Sequence, residues 1–280
     1  MTLWQRFRYY TEMLSLDICA GVLGSGALAQ VTLNARMPFA WWFLLPASVW
    51  VIYTADHLMD ARKSGGQARN ERHLFHYHHF RLLSFMAAMI AAVCLVGALV
   101  FFREIVFTGG LLVAALALLH ILLAFWGKIR FGKELSVGII YTCGVWFAPW
   151  LNRGAQPITY EPIFVALFLC AAWLNLFMNA VLEFDTDRAD GQLFAMENLR
   201  RGAVRRYVIV AAFISALVAA SLPLLFQSTG QPPRMAASAI LACLCATPGI
   251  ILLAERFFLQ GKRYRLPAEW VFSLGLLLKL

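Results

Sequence analysis

Two sets of carboxylates stand 127 residues apart in a chain that is otherwise strongly apolar. The first is Asp56-His57-Leu58-Met59-Asp60; the second runs from Asn179 through Glu183 and Asp187 to Asp190. Asp56 and Asp60 are four residues apart, as are Glu183 and Asp187, so each pair shares one face of a helix. Asn179 extends the second face by another turn, Asp190 lies three residues beyond it, and Asp185 points elsewhere, toward solvent. A charged side chain at mid-membrane costs about 2.5–3.5 kcal/mol on the insertion scale, and much less at the membrane edge. Paired acids closing two apolar stretches therefore point to a shared ligand. Oxygen donors with Lys and Arg nearby suit Mg²⁺, which takes one or two carboxylates and completes its shell with phosphate oxygens. Two such helices can hold Mg²⁺ around a diphosphate, with nearby cations stabilising it as a leaving group.

The elements that must position these acids are membrane spans. Of 280 residues 61% are apolar and 14% charged, and the mean hydropathy is +0.69; a soluble domain carries nearer a quarter charged residues. Apolar runs predict nine spans at 13–33, 39–58, 83–102, 105–126, 136–152, 160–183, 207–227, 236–257 and 266–280. With the N-terminus in the cytoplasm and the C-terminus outside, 19 of the 24 Lys and Arg residues fall on cytoplasmic segments, as the positive-inside rule requires. The net charge of +9 is then mostly a cytoplasmic-face charge in contact with anionic lipid, spread over five short segments rather than one nucleic-acid-binding stripe. Both acidic sets end spans, two and six, at that face. The expectation is an all-α bundle of nine transmembrane helices forming one domain over 1–280. Its cytoplasmic loops at 59–82, 127–135 and 184–206 flank the acids. Arg6, Arg8 and the following apolar stretch imitate a signal peptide, but Asp17 interrupts it and the charge alternation needs the first span.

The stretch Asn179…Glu183-Phe184-Asp185-Thr186-Asp187-Arg188-Ala189…Gly191 resembles the second motif of the UbiA superfamily of intramembrane prenyltransferases. It is particularly similar to the branch that prenylates 1,4-dihydroxy-2-naphthoate. The resemblance covers the layout of the whole chain and about 25 residues of specific motif. It implies nine spans, a multi-pass protein of the bacterial cytoplasmic membrane, and an active site on the cytoplasmic side. Asp56, Asp60, Glu183 and Asp187 would be the catalytic Mg²⁺ ligands; Asn179, Lys128, Arg130, Arg72 and Arg188 would contact the diphosphate. The reaction implied is Mg²⁺-dependent transfer of an isoprenyl group from an allylic diphosphate to a lipophilic, aromatic acceptor. The alternatives are a membrane terpene cyclase on the same scaffold and a non-catalytic relative.

The chain departs from the family pattern in two places. The first motif spans 52–60, and Ile52-Tyr53 stand where the family has Asn-Asp. After Gly191, the second motif (179–191) is followed by Gln192-Leu193-Phe194 where the naphthoate branch has Lys-Arg-Thr, which argues against that acceptor. His73, His76, His78 and His79 read as a polar amphipathic helix over the site, from which Arg72 or His73 reaches the diphosphate. His120 reads as a satisfied interior histidine and Asp17 as an acid within a span; Glu12 and Glu134 read as interfacial. The six cysteines read as small packing residues, and Gly21, Gly24, Gly26 and Ala27 as a close helix-packing face.

Overall fold

The computed structural model describes residues 2–67, 70–128, 132–154, 159–189, 200–226, 232–260 and 263–279, apart from the side chains of Trp4, Gln67, Asp187, Ala189, Leu225, Phe226, Pro232 and Pro233. Twelve α-helices follow one another: α1 Leu3–Met13, α2 Leu16–Thr32, α3 Trp41–Ser64, α4 Glu71–His78, α5 Phe80–Phe101, α6 Glu104–Phe125, α7 Lys133–Leu151, α8 Glu161–Ala189, α9 Arg201–Phe226, α10 Pro232–Leu253, α11 Glu255–Leu259 and α12 Arg265–Trp270. A 3₁₀ segment, Val271–Lys279, continues α12. Among the described residues the only β feature is an isolated bridge between Ala35 and Arg153.

Every apolar run named above corresponds to a helical element. Six helices, α5 through α10, are each long and apolar enough to cross a bilayer, which makes this a multi-pass membrane protein. The α1–α2 pair qualifies as a seventh only if taken as one span bent by 71°. The bend sits at Ser15, whose φ of 54° is left-handed. It places Asp17 in the first turn of α2, where the helix dipole favours an acid, rather than deep within a span. The elements predicted as spans two and nine do not meet the same test. α3 carries Asp56, Asp60, Arg62 and Lys63, and the C-terminal element has only six α-helical residues. A 3₁₀ helix rises about 2 Å per residue, so α12 and its extension together reach about 27 Å, nearly a bilayer core.

The faces of these helices separate lipid from core. α5, α6 and α9 leave Phe85, Val93, Leu99, Leu112, Leu119, Val210 and Leu217 exposed, as expected where lipid replaces water. Against them an interior cluster joins Val22, Leu28, Trp41, Trp146, Phe164, Phe168, Leu241 and Phe272. A second cluster joins Met178, Val181, Val208, Ile251, Tyr264 and Ala268, binding α8, α9, α10 and α12 together. α2 packs along the C-terminal 3₁₀ segment, α3 along α5, and α7 between α6 and α8. The glycine face of α2 is what allows the first contact: a Cβ on Gly24 would overlap the Phe272 and Ser273 backbone, and one on Gly275 would overlap the Gly24 backbone.

α3 and α8 both run about six residues past their predicted apolar ends. Those extra turns carry Asp60, Asp185 and Asp187, while Asp56 and Glu183 lie at the ends of the apolar runs themselves.

Candidate active site

α3 brings Asp56, and α8 brings Asn179 and Glu183, to one cavity; Asp60 is not among its lining residues. The cavity has a volume of about 280 Å³, with Asp56, Asn179, Glu183, Lys133, Glu134 and His120 among its lining residues. The rest of the wall is apolar or aromatic: Val49, Ile52 and Tyr53 from α3, Val113 and Ala117 from α6, Tyr141 and Gly144 from α7, Leu176 and Ala180 from α8. Val49, Ile52, Val113 and Gly144 also line a second cavity of about 290 Å³, which continues between α3, α5, α6 and α7 toward Trp41, Phe102 and Val106. The two share these wall residues; the first carries charged groups and the second is almost wholly hydrocarbon and aromatic.

α4 packs on the end of α3 that carries the first motif. Asn70 caps it by accepting a hydrogen bond from the Arg72 backbone N–H at 3.1 Å. Arg72 Nη1 donates to His57 Nε2 at 3.3 Å, and His76 Nδ1 donates to the Arg72 carbonyl at 2.8 Å. His73 Nε2 lies 3.7 Å from Asp60 Oδ2. The His57 ring lies 6.2 Å from that of His73 and 5.1 Å from that of His76 along this seam. The expected amphipathic helix over the site is therefore present, with His73 and His76 on its buried face. Burial pushes the His76 imidazole down to about 4, against the opposing effect of its hydrogen bond to Arg72, and so keeps it neutral. Arg72 has no ion-pair partner among the described residues, and its Nε is buried without a hydrogen bond.

In the second motif, Glu183 is already engaged. Its Oε1 accepts from the Tyr264 hydroxyl at 2.5 Å and from Arg265 Nη2 and Nε at 2.7 and 3.1 Å. Asp185 is exposed and pairs with Arg201 at 3.2 Å, in line with its expected solvation. Arg188 is exposed in the last turn of α8. Lys128 is exposed over the Trp126 ring and does not line the cavity; Lys133, at the start of α7, does. The Asp187 side chain and all of Arg130 lie outside the described residues.

Several polar residues have a different setting from the one expected. Glu134 lines the cavity with a buried, unpartnered Oε2 rather than facing the interface. His120 Nδ1 meets Ser136 Oγ at 3.0 Å, but its Nε2 has no partner and the ring faces the cavity, so it is only half satisfied. Glu12 pairs with Arg8 at 2.7 Å on α1. The sequence reading did not single out Tyr264, Arg265 or Glu269 for the site. The available signal was Glu269 itself, an acid inside the ninth apolar stretch.

The carboxylates can be tested against a Mg²⁺ ion. Among the described residues no three His, Cys, Asp or Glu side chains converge on a cation cage. Mg²⁺ needs only one or two protein carboxylates when phosphate oxygens supply the rest, and the Asp56–Asp60 face meets that requirement. Glu183 accepts all three of its hydrogen bonds on Oε1, which leaves Oε2 for a cation.

No protein-family model and no curated protein sequence matches the chain. Its fold is similar to an apo structure of a UbiA homolog from the archaeon Aeropyrum pernix K1, with a TM-score of 0.66. The two chains are 13% identical over 95% of this chain and 98% of the other. At that identity the likeness is one of fold.

Proposed function

We propose that this protein is an intramembrane prenyltransferase of the UbiA type. The observation that carries the reading is a cavity with charged groups that shares its wall with an apolar one. The first presents Asp56, Asn179 and Lys133, with Arg72 neighbouring; the second is almost wholly hydrocarbon and aromatic. A diphosphate with an isoprenoid tail has that same division. The fold likeness supports the scaffold, and Asp56 and Glu183 lining one cavity supports the chemistry.

In this reading Lys133 and Arg72 bind the diphosphate as cations, and Asn179 orients it by hydrogen bonding. Arg72 suits the role because its guanidinium has a buried Nε with no partner of its own. Asp56 and Asp60 would hold a Mg²⁺ ion, which when bound supplies positive charge to the leaving diphosphate. The apolar walls exclude water, so the allylic cation that forms as the C–O bond breaks survives to meet the acceptor. Tyr53 and Tyr141 line the same cavity, and their rings would stabilise positive charge there. The site opens toward the cytoplasm, with the N-terminus on that side, and the membrane is the bacterial cytoplasmic membrane. The acceptor is lipophilic or aromatic.

The test uses proteoliposomes supplied with radiolabelled allylic diphosphates of several lengths, with and without Mg²⁺ and with a panel of phenolic acceptors. Prenylated acceptor should form, and Asp56→Ala should reduce its formation by at least about a hundredfold. Unchanged turnover in Asp56→Ala would remove the first motif from the chemistry. Product formed without any acceptor would identify a cyclase instead.

A further inference from the structure

A further cavity, of about 410 Å³, lies between α1, α2 and α12 and shares no residue with the candidate active site. Arg8, Thr11 and Glu12 of α1 and Asp17 of α2 supply its polar wall. Phe7, Leu266 and Trp270 supply the rest, and all three are exposed, so the apolar side of the cavity belongs to the outer surface. Asp17 is only 2% exposed. Its Oδ1 accepts from the Ile18 backbone N–H at 3.0 Å; Oδ2 has no hydrogen bond or ion pair among the described residues. Glu12 and Arg72 are charged groups that bear on it without touching it. Arg8 Nε donates to Glu12 Oε1 at 2.7 Å, and the two Nη nitrogens of Arg8 and Oε2 of Glu12 have no partner among the described residues. The Thr11 hydroxyl donates to the Phe7 carbonyl at 2.9 Å and keeps its acceptor capacity.

The cavity wall therefore holds one guanidinium against two carboxylates, an excess of one negative charge. The N-terminus of α2 offsets part of the Asp17 charge but gives Oδ2 no donor. A buried carboxylate oxygen is retained in a fold where a donor meets it. A primary ammonium fits: it carries one positive charge and three N–H donors for the Asp17, Glu12 and Thr11 oxygens, and the Phe7 and Trp270 rings also favour a cation. The spare Arg8 nitrogens suit an anionic oxygen on the same molecule. The exposed apolar side requires that the rest of that molecule be hydrocarbon. The position of α1 agrees. It is bent by 71° from α2, and its exposed Leu3, Phe7 and Tyr10 recur at i, i+4 and i+7 as one apolar stripe. Such a helix lies in the membrane interface, at the depth of lipid headgroups.

We infer that this cavity is a binding site for a membrane phospholipid with a primary-amine headgroup. The ammonium sits against Asp17 and Glu12, the phosphate meets Arg8, and the acyl chains run along Leu266 and Trp270. The inference does not depend on the prenyltransferase reading.

The test offers the purified full-length protein equal amounts of dioleoyl phosphatidylethanolamine, phosphatidylcholine and phosphatidylglycerol in detergent, with bound lipids counted by native mass spectrometry. Phosphatidylethanolamine should be retained at least about fivefold over phosphatidylcholine, whose quaternary ammonium donates no hydrogen bond, and over phosphatidylglycerol, which has no cation. Asp17→Asn and Glu12→Gln preserve shape and remove one charge each. Each should bring the ratio to phosphatidylcholine within about twofold. The double variant leaves Arg8 as the cavity's charge and should favour phosphatidylglycerol, a gain that misfolding does not produce. Octylammonium, an ammonium without the phosphodiester, should displace the lipid only at a concentration about tenfold higher or more. Displacement at parity would make this a site for free amines and overturn the lipid assignment. The native chain showing no preference, both single variants keeping it, or the double variant gaining no phosphatidylglycerol would each overturn the site.

Discussion

A carboxylate oxygen that already accepts three hydrogen bonds has little left to give a cation. Oε1 of Glu183 is in that position, held by Tyr264 and by two nitrogens of Arg265, which leaves Oε2 to meet a ligand. The spacing of Glu183 with Asp187 was plain in the sequence, but its partners were not, because they lie more than 80 residues away on an element with no motif of its own. Asp56 and Asn179, by contrast, were placed by helical periodicity alone, since each needs only to be on the cavity side of a single helix. Arg265 is largely buried, its side chain 9% exposed, and Glu183 is 23% exposed. Removing one partner strands the other, at a cost of about 2–4 kcal/mol once the partial exposure of Glu183 is allowed for. Glu183→Gln and Arg265→Met should each lower the thermal unfolding midpoint in detergent, and the double variant should fall less than their combined effects. Additive losses would mean that the pair is not coupled.

At the level of elements, apolar runs located the helices well, because lipid forces the backbone to satisfy its own hydrogen bonds. They were less informative about the helix ends. α3 and α8 continue into the polar zone because the peptide ladder does not stop where hydrophobicity does, and Asp60 and Asp187 ride on that overhang. The C-terminal element, read as a short ninth span, is mostly 3₁₀, seated against α2 through Gly24 and Gly275. This contact makes a sharp prediction. Gly24→Leu should unseat the tail and lower the unfolding midpoint by several degrees, since any side chain there overlaps the Phe272 and Ser273 backbone. Gly202→Ala, at a position where a Cβ meets nothing within 4 Å, should behave as the wild type. Equal behaviour of the two variants would refute a role for the close contact.

For the molecule as a whole, composition alone indicated a polytopic membrane protein, and the exposed apolar faces of α5, α6 and α9 agree with it. Orientation is a separate matter, resting on the 19 basic residues assigned to one side. It can be read directly with a membrane-impermeant maleimide on intact cells and on inverted vesicles, using variants free of the native cysteines. Arg36→Cys should label from outside and Lys63→Cys only in inverted vesicles; the reverse pattern would turn the proposed site to the other face. The meeting of α2 with the tail has a further consequence, for biogenesis. These partners are separated by roughly 250 residues, so their docking is a late and slow folding step. Until it occurs, Glu183 lacks the Arg265 guanidinium and the Tyr264 hydroxyl. A chain already threaded into the bilayer therefore remains unfinished for a time, and its candidate site is complete only when the C-terminal element closes against α2.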